Sequence, residues 1–290
     1  GILKAMSGYP VTVRLLDPPL HEFLPDLATL SAEMATAEAL NSTITPRDKA
    51  IFAAVKRLHE ANPMLGLRGV RLGILIPELF KMQVRALVLA SLEVKKAGFE
   101  PKPELMIPLV ATQRELLYLR EGLEDEIKKT LNGAELDMPI GTMIETPRAA
   151  ITASRLADYA DFFSFGTNDL TQFLFAADRA DPRLAERYDW LSPAILRFIR
   201  RVVKATEGHD VDVAVCGEMG GRTLEALALI GVGIHRLSIT PAAVGPIKAM
   251  IRSTNHSDIR AKMDELLNAP TENLRESLTA WANSQGIEIG

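Results

Sequence analysis

Apolar positions along the chain fall into two alternating kinds of run. The short ones are VTVRLLD (11–17), ELMIPLV (104–110), PIGTMIE (139–145), FFSFGT (162–167), DVAVCG (212–217) and HRLSIT (235–240). They are apolar nearly throughout instead of alternating, the pattern of strands covered on both faces. Longer stretches with a helical period lie between them. Residues 77–98 open with Pro77 at a first-turn position and close on Gly98. Residues 113–131, 147–157, 192–207, 222–230 and 241–252 read similarly. Repeated strand–helix alternation predicts an α/β fold with a parallel sheet, which either a closed (β/α)8 barrel or an open doubly wound sheet satisfies. With MLGLR (64–68) as a further candidate the strand count reaches seven, one short of a closed barrel.

Two segments stand outside this alternation. Residues 24–62 read as a helical insertion broken at NSTITPR (41–47). Residues 253–290 read as a helical tail, one helix starting at Ser257-Asp258 and another at Pro270-Thr271 with Leu274, Leu278 and Trp281 on one stripe. The expected division is a barrel over 1–252 carrying the insertion, followed by the tail.

The polar residues favour the barrel. Glu145, Asn168, Asp169 and Cys216 fall at the C-terminal ends of three strands, the end where barrel enzymes assemble their sites. Two acids on neighbouring strand ends suit Mg²⁺, which takes oxygen ligands and keeps several waters. A plainer reading makes Asp169 the cap of the next helix and Glu145 a solvated acid or a partner of Arg148. Arg14 lies within an apolar strand, where a guanidinium needs an anionic partner. Arg68, Arg85 and Arg179 are candidates to join it around a small polyanion, because arginine grips phosphate and carboxylate through a planar fork. Their structural alternative is local pairing, Arg14 with Asp17 and Arg179 with Asp178 or Asp181, leaving Arg85 as a surface charge. Cys216, before Gly-Glu-Met-Gly-Gly, is either a small buried apolar side chain or a thiol facing the mouth, able to act as proton donor or nucleophile.

Composition narrows the classes. The net charge of -4 and a sequence pI near 5.8, with lysines and arginines scattered, give no nucleic-acid footprint. No apolar run approaches a membrane span, and the first residues lack the basic start and apolar middle of a signal peptide. One cysteine excludes an intrachain disulfide, and the cytoplasm is the default expectation. The five histidines make no metal-ligand spacing, and neither a dinucleotide fingerprint nor a Walker-type loop is present.

Several blocks, taken in order, resemble the phosphoenolpyruvate-utilising enzymes. VTVRLLDPPLHEFLP, LHEANPMLGLRGVRLGI, MIPLVATQREL, GTMIETPRAA and FFSFGTNDLTQ are similar to the C-terminal barrel of the pyruvate phosphate dikinase branch. The stretch from FAADRADPRLAERYDWLSPAILRFI through CGEMGGRTLEALALIGVGIHRLSITPAAVGPIKAMI looks more like the enzyme I branch. The resemblance implies that Arg14, Arg68, Arg85, Asn168 and Arg179 contact the substrate. It implies Mg²⁺ on Glu145 and Asp169, and Cys216 as the group that protonates an enolate. The implied reaction moves a phosphoryl group between phosphoenolpyruvate and a phosphohistidine on a separate domain, giving pyruvate. Transfer to a carrier protein in the manner of enzyme I, a Mg²⁺-dependent lyase of pyruvate-containing acids and a non-catalytic phosphoenolpyruvate-binding module are the alternatives. No Thr-Ser-His phosphohistidine context occurs here, and the first barrel strand of the family normally precedes Gly1. The expectation is therefore a barrel without its first strand, a fragment or truncated protein, homodimeric as its relatives are.

Overall fold

The structure, a computed structural model, describes residues 1–60, 62–178, 181–184, 188–269 and 273–290, with Leu20 and His21 described in backbone only. Six strands pair side by side, all parallel and in chain order: β1 (Pro10–Arg14), β2 (Lys102–Ile107), β3 (Ile140–Ile144), β4 (Phe162–Gly166), β5 (Asp212–Cys216) and β6 (Arg236–Leu237). The sheet is strongly curled and open between β6 and β1, an incomplete (β/α)8 barrel followed by a helical tail.

Register explains why the strands read as uniformly apolar. Leu105, Ile107, Ile140, Ile144, Phe163, Phe165 and Val215 are all fully buried in the core shared with the surrounding helices. Burying each such side chain is worth about 1.5–3 kcal/mol. The other face of the same strands carries Arg14, Met106, Met143, Gly166 and Cys216, which line the inner cavity. Alternation is present, but methionine, glycine and cysteine disguise its polar half.

Helices pack outside the sheet. Pro77–Lys96 lies against Gln113–Leu131, whose Thr112 and Glu115 form a capping box, and Pro193–Ala205 lies against Pro147–Ile151. The stretch expected at 147–157 is two short helices, Pro147–Ile151 and Ala153–Ala157, interrupted at Thr152. The insertion is a helical pair, Leu27–Ala39 capped by Asp26 and Pro46–Leu58 opened by a Thr45–Asp48 capping box. The tail begins at His256, capped by Asn255 instead of starting at Ser257. Its second helix, Leu274–Ser284, is capped by Asn273, while Pro270 and Thr271 lie outside the described residues. Leu274 and Leu278 are buried as the stripe requires, and Trp281 is half-buried.

One expected strand is absent. Residues 64–68 form the end of a 3-10 turn, Pro63–Leu65, and the approach to helix Gly69–Leu75. Gly69 sits at φ +54, and a Cβ there would press on Leu109 and Asp17. The bend brings Arg68 over the sheet's C-terminal end. HRLSIT contributes only the two residues of β6, an edge strand.

Candidate functional site

Every strand from β1 to β5 ends at one cavity of about 560 Å³ at the C-terminal end of the sheet. Arg14 closes β1 and Asp17 follows it before Pro18-Pro19. Arg68 precedes helix Gly69–Leu75. Glu145 follows β3, Asn168 and Asp169 follow β4, and Cys216 closes β5.

Arg68 organises the floor. Its Nε and Nη2 donate to the two carboxylate oxygens of Asp17 at 3.2 and 2.6 Å, and Nη2 donates also to Asp169 Oδ2 at 2.8 Å. Its Nη1 approaches Met64 Sδ at 3.1 Å. All three charged side chains are buried. Burial works against the Arg68 charge, but the Asp17 contact, followed by Asp169, outweighs it and the guanidinium is held more firmly protonated than usual. Asp169 is in the first turn of helix Thr167–Phe175, capped by no side chain, and its carboxylate reaches Arg68. The simple capping reading of Asp169 therefore does not describe it.

Glu145 is the most buried acid of the site, 1% exposed. Its Oε1 accepts the Leu109 backbone N–H at 2.5 Å. Leu109 holds a left-handed φ of 61°, uncommon for a residue with a Cβ, and this aims the N–H at the carboxyl. Thr146 fixes the next residue by capping helix Pro147–Ile151 and donating to the Val110 carbonyl at 3.1 Å. Gly166 leaves room for Glu145, since a Cβ there would strike its Oε2. Burial first, then the nearby Asp169 and Asp17 charges, push the Glu145 carboxyl up to about 8, against the opposing Leu109 N–H and Arg68.

The remaining predicted residues divide clearly. Arg14 is half-exposed, with Nη1 3.5 Å from Asp17 Oδ2 and near Met143, so it pairs locally while facing the cavity. Asn168 lines the cavity with its Oδ1 buried and without a hydrogen-bond partner. Cys216 donates its thiol to the Phe165 carbonyl at 3.3 Å. Burial and then the Glu145 charge raise its pKa, against Ser164 and Arg14, so the sulfur stays protonated at neutral pH. Arg85 is not brought to the cavity: on helix Pro77–Lys96 it pairs with Glu126 at 2.9 Å and Glu78 at 3.8 Å. Arg179 lies outside the described residues. Sequence reasoning missed the central role of Asp17, seen there only as a neighbour of Arg14, and the methionine wall of Met64, Met106 and Met143.

The donor set suits a hard divalent cation. Among the described residues the lining holds four carboxyl groups, Asp17, Glu22, Glu145 and Asp169, against two guanidinium groups, Arg14 and Arg68. Such a cavity is a poor receptor for an anion by itself, and burial, then the neighbouring Asp169 and Asp17 charges, drives the Glu145 carboxyl toward neutrality. Among the described residues no group of three or more His, Cys, Asp or Glu side chains is placed to hold a metal alone. Two carboxylates completed by waters and substrate oxygens is, however, the ordinary way Mg²⁺ is bound. Glu145 and Asp169 fit that part. Among the described residues no helix is long and apolar enough to cross a membrane.

Comparison with known proteins places the chain in a family. The chain is 40% identical over 266 residues to the chloroplastic pyruvate, phosphate dikinase of Flaveria pringlei, covering 84% of this chain and 27% of that protein. It is 39% identical over 280 residues to the dikinase of Entamoeba histolytica, covering 87% and 31%, and 39% identical over 263 residues to that of Clostridium symbiosum, covering 84% and 29%. The chain thus spans under a third of the length of these relatives. Among solved structures, a citrate lyase from Burkholderia xenovorans LB400 has 17% identity and a TM-score of 0.43 over 73% of this chain and 71% of that one, too distant to carry an argument. The family described as "PEP-utilising enzyme, PEP-binding domain" matches residues 1–256, and the chain belongs to it.

Proposed function

We propose that this chain binds phosphoenolpyruvate and pyruvate with Mg²⁺ and carries that half of a phosphoryl transfer to or from a phosphohistidine on a separate domain. The observation that carries the reading is the meeting, in one cavity, of three buried carboxyls, two guanidinium groups, an unpaired amide oxygen and a protonated thiol. Residues 1–252 form the binding barrel in this reading, and 253–290 a supporting tail.

Glu145 and Asp169 would hold the Mg²⁺, which when bound supplies positive charge beside the oxygen that becomes an enolate. Arg14, half-exposed and only loosely tied to Asp17, is free to turn its fork onto the phosphoryl oxygens. Arg68 is held by Asp17 and Asp169 and keeps the latter oriented; it meets the substrate from the cavity floor. Asn168 would orient the substrate through its amide. In the pyruvate-forming direction the C–O–P ester opens, the phosphoryl group passes to the histidine nitrogen, and the electron pair is left on the enolate. Cys216 then gives its S–H proton to C3, and the reverse direction removes a methyl proton to the thiolate. Its raised pKa suits a proton donor better than a nucleophile. Arg85, on the outer surface with Glu126, has no part in this scheme, and the dikinase relatives favour the dikinase branch over transfer to a carrier protein.

Exchange of the pyruvate methyl hydrogens with solvent deuterium, followed by NMR with Mg²⁺ and the phosphorylated full-length parent, tests the scheme. Exchange that depends on Mg²⁺ and is lost in Cys216→Ala is expected. Absence of exchange in the intact parent would overturn it.

A further inference from the structure

The tail helix Leu274–Ser284 lies beyond the residues matched by the family, yet one of its side chains reaches the segments that follow β4 and β5. Arg275 donates Nε to Asp189 Oδ2 at 3.1 Å and Nη2 to Asp189 Oδ1 at 2.6 Å, a two-pronged grip on one carboxylate. The same Nη2 donates to Glu225 Oε1 at 2.6 Å. Asp189 belongs to the connection from β4 to helix Pro193–Ala205, and its Oδ1 also accepts the Leu191 N–H. Glu225 lies in the first turn of helix Thr223–Gly231, which follows β5.

Glu225 is the telling member. It is 2% exposed, among Leu224, Ala226, Leu227, Ala228 and Leu229 on a helix otherwise buried through apolar residues. A buried carboxylate in such surroundings needs a cation, and the tail supplies it. Two further contacts tie the same pieces together. Arg222, just before that helix, lies over the Trp190 ring at 4.8 Å, and Thr223 Oγ1 donates to the Ile289 carbonyl at the far end of the tail. Between Cys216 and Arg222 there is only Gly217, at φ +107, and the 3-10 turn Glu218–Gly221, which packs against helix Thr167–Phe175 carrying Asn168 and Asp169.

We infer that Arg275 is a positioning residue: by joining Asp189 to Glu225 it sets the spacing of the β4 and β5 mouth connections, and so holds the Cys216 thiol in register with Asn168 and Asp169. It touches no substrate. The inference rests on the proposed function only for its ligand readout.

The test uses the full chain, in which Cys216 is the single cysteine and its alkylation reports directly on the site. Arg275→Met, Arg275→Lys and the double variant Glu225→Gln/Arg275→Met are compared with wild type well below the melting temperature of each. Iodoacetamide labelling of Cys216 is expected to rise about tenfold in Arg275→Met, less in Arg275→Lys, whose single ammonium keeps one carboxylate. The double variant, with no unpaired buried charge, should recover thermal stability but keep the fast labelling. Phosphoenolpyruvate affinity with Mg²⁺ should weaken about tenfold in Arg275→Met, because a small displacement at one strand end is enough to lose that much. Labelling within twofold of wild type in Arg275→Met overturns the inference, whatever the melting temperature, and so does restoration of wild-type labelling in the double variant. If wild type itself fails to bind phosphoenolpyruvate, the proposed function falls while the labelling comparison still decides the role of Arg275.

Discussion

The centre and the edges of the sheet are built from the same strand–helix unit but to different standards of burial. Along β3, Ile140–Ile144, every residue is buried, and β2 and β4 are buried over most of their length. At the edges, β1 alternates exposed and half-buried residues, and β5 and β6 contain one buried residue between them. The chemistry divides in the same way. Glu145 and Asp169 follow β3 and β4 and are buried, each locked by a partner, whereas Arg14 and Cys216 close β1 and β5 and remain partly open. The closed centre is where charge must be placed at high cost and held still. The edges carry the groups to which the proposed function gives direct contact with the substrate.

Breaking the centre should give the largest effect. Arg68→Met strands the buried carboxylates of Asp17 and Asp169, and we expect a loss of about 3–5 kcal/mol in urea unfolding together with loss of ligand binding. Glu145→Gln sharpens the same point through pH. The Glu145 carboxyl titrates near 8 in the folded chain against an ordinary value of 4.5. Between those values the folded state holds a proton that the unfolded state has released. The Glu145 contribution to stability is therefore greatest below the lower value and falls as pH rises toward 8, by at most about 1.4 kcal/mol per pH unit. Urea midpoints at pH 5 and pH 8 should differ less in Glu145→Gln than in wild type, and an unchanged difference would contradict the assignment.

Edge substitutions should barely move stability. Arg14→Met removes a half-exposed ion pair, for which less than about 1 kcal/mol is expected, while phosphoenolpyruvate affinity drops at least about tenfold. Cys216→Ala should be the mildest for both folding and ligand affinity. Its effect belongs to proton transfer, with methyl exchange in the full-length parent slowed by about 10²–10⁴. A large loss of stability in either edge variant would erase the distinction between centre and edge.

The sequence made the strands of this sheet readable because each is short, apolar and punctuated, and because the polar residues at their ends stand out from what precedes them. It did not reveal the two-faced character of those strands, since Met106, Met143 and Gly141 on the inner side count as apolar in any pattern. MLGLR reads as a strand because nothing local announces the left-handed Gly69 that follows it or a side chain bonded to Asp17 far upstream. Asp17 was read with its neighbour Arg14, and that contact exists, but the stronger partner comes from a distant segment. Arg85 is the opposite case. The sequence leaves it either at the site or as a helix-surface charge, and its pairing across two helices with Glu126 is disclosed only by the packing of those helices. Arg275 carried no local signal at all, because its meaning lies in the two loops it joins.

The central claim is that the acid-rich cavity receives a three-carbon anion only with a divalent cation. Calorimetric titration of phosphoenolpyruvate into the chain, with and without Mg²⁺, against wild type and Asp169→Asn, tests it most directly. The account predicts binding by wild type that requires Mg²⁺ and is at least about tenfold weaker in Asp169→Asn. Equal affinity without Mg²⁺, or full affinity in Asp169→Asn, would contradict it.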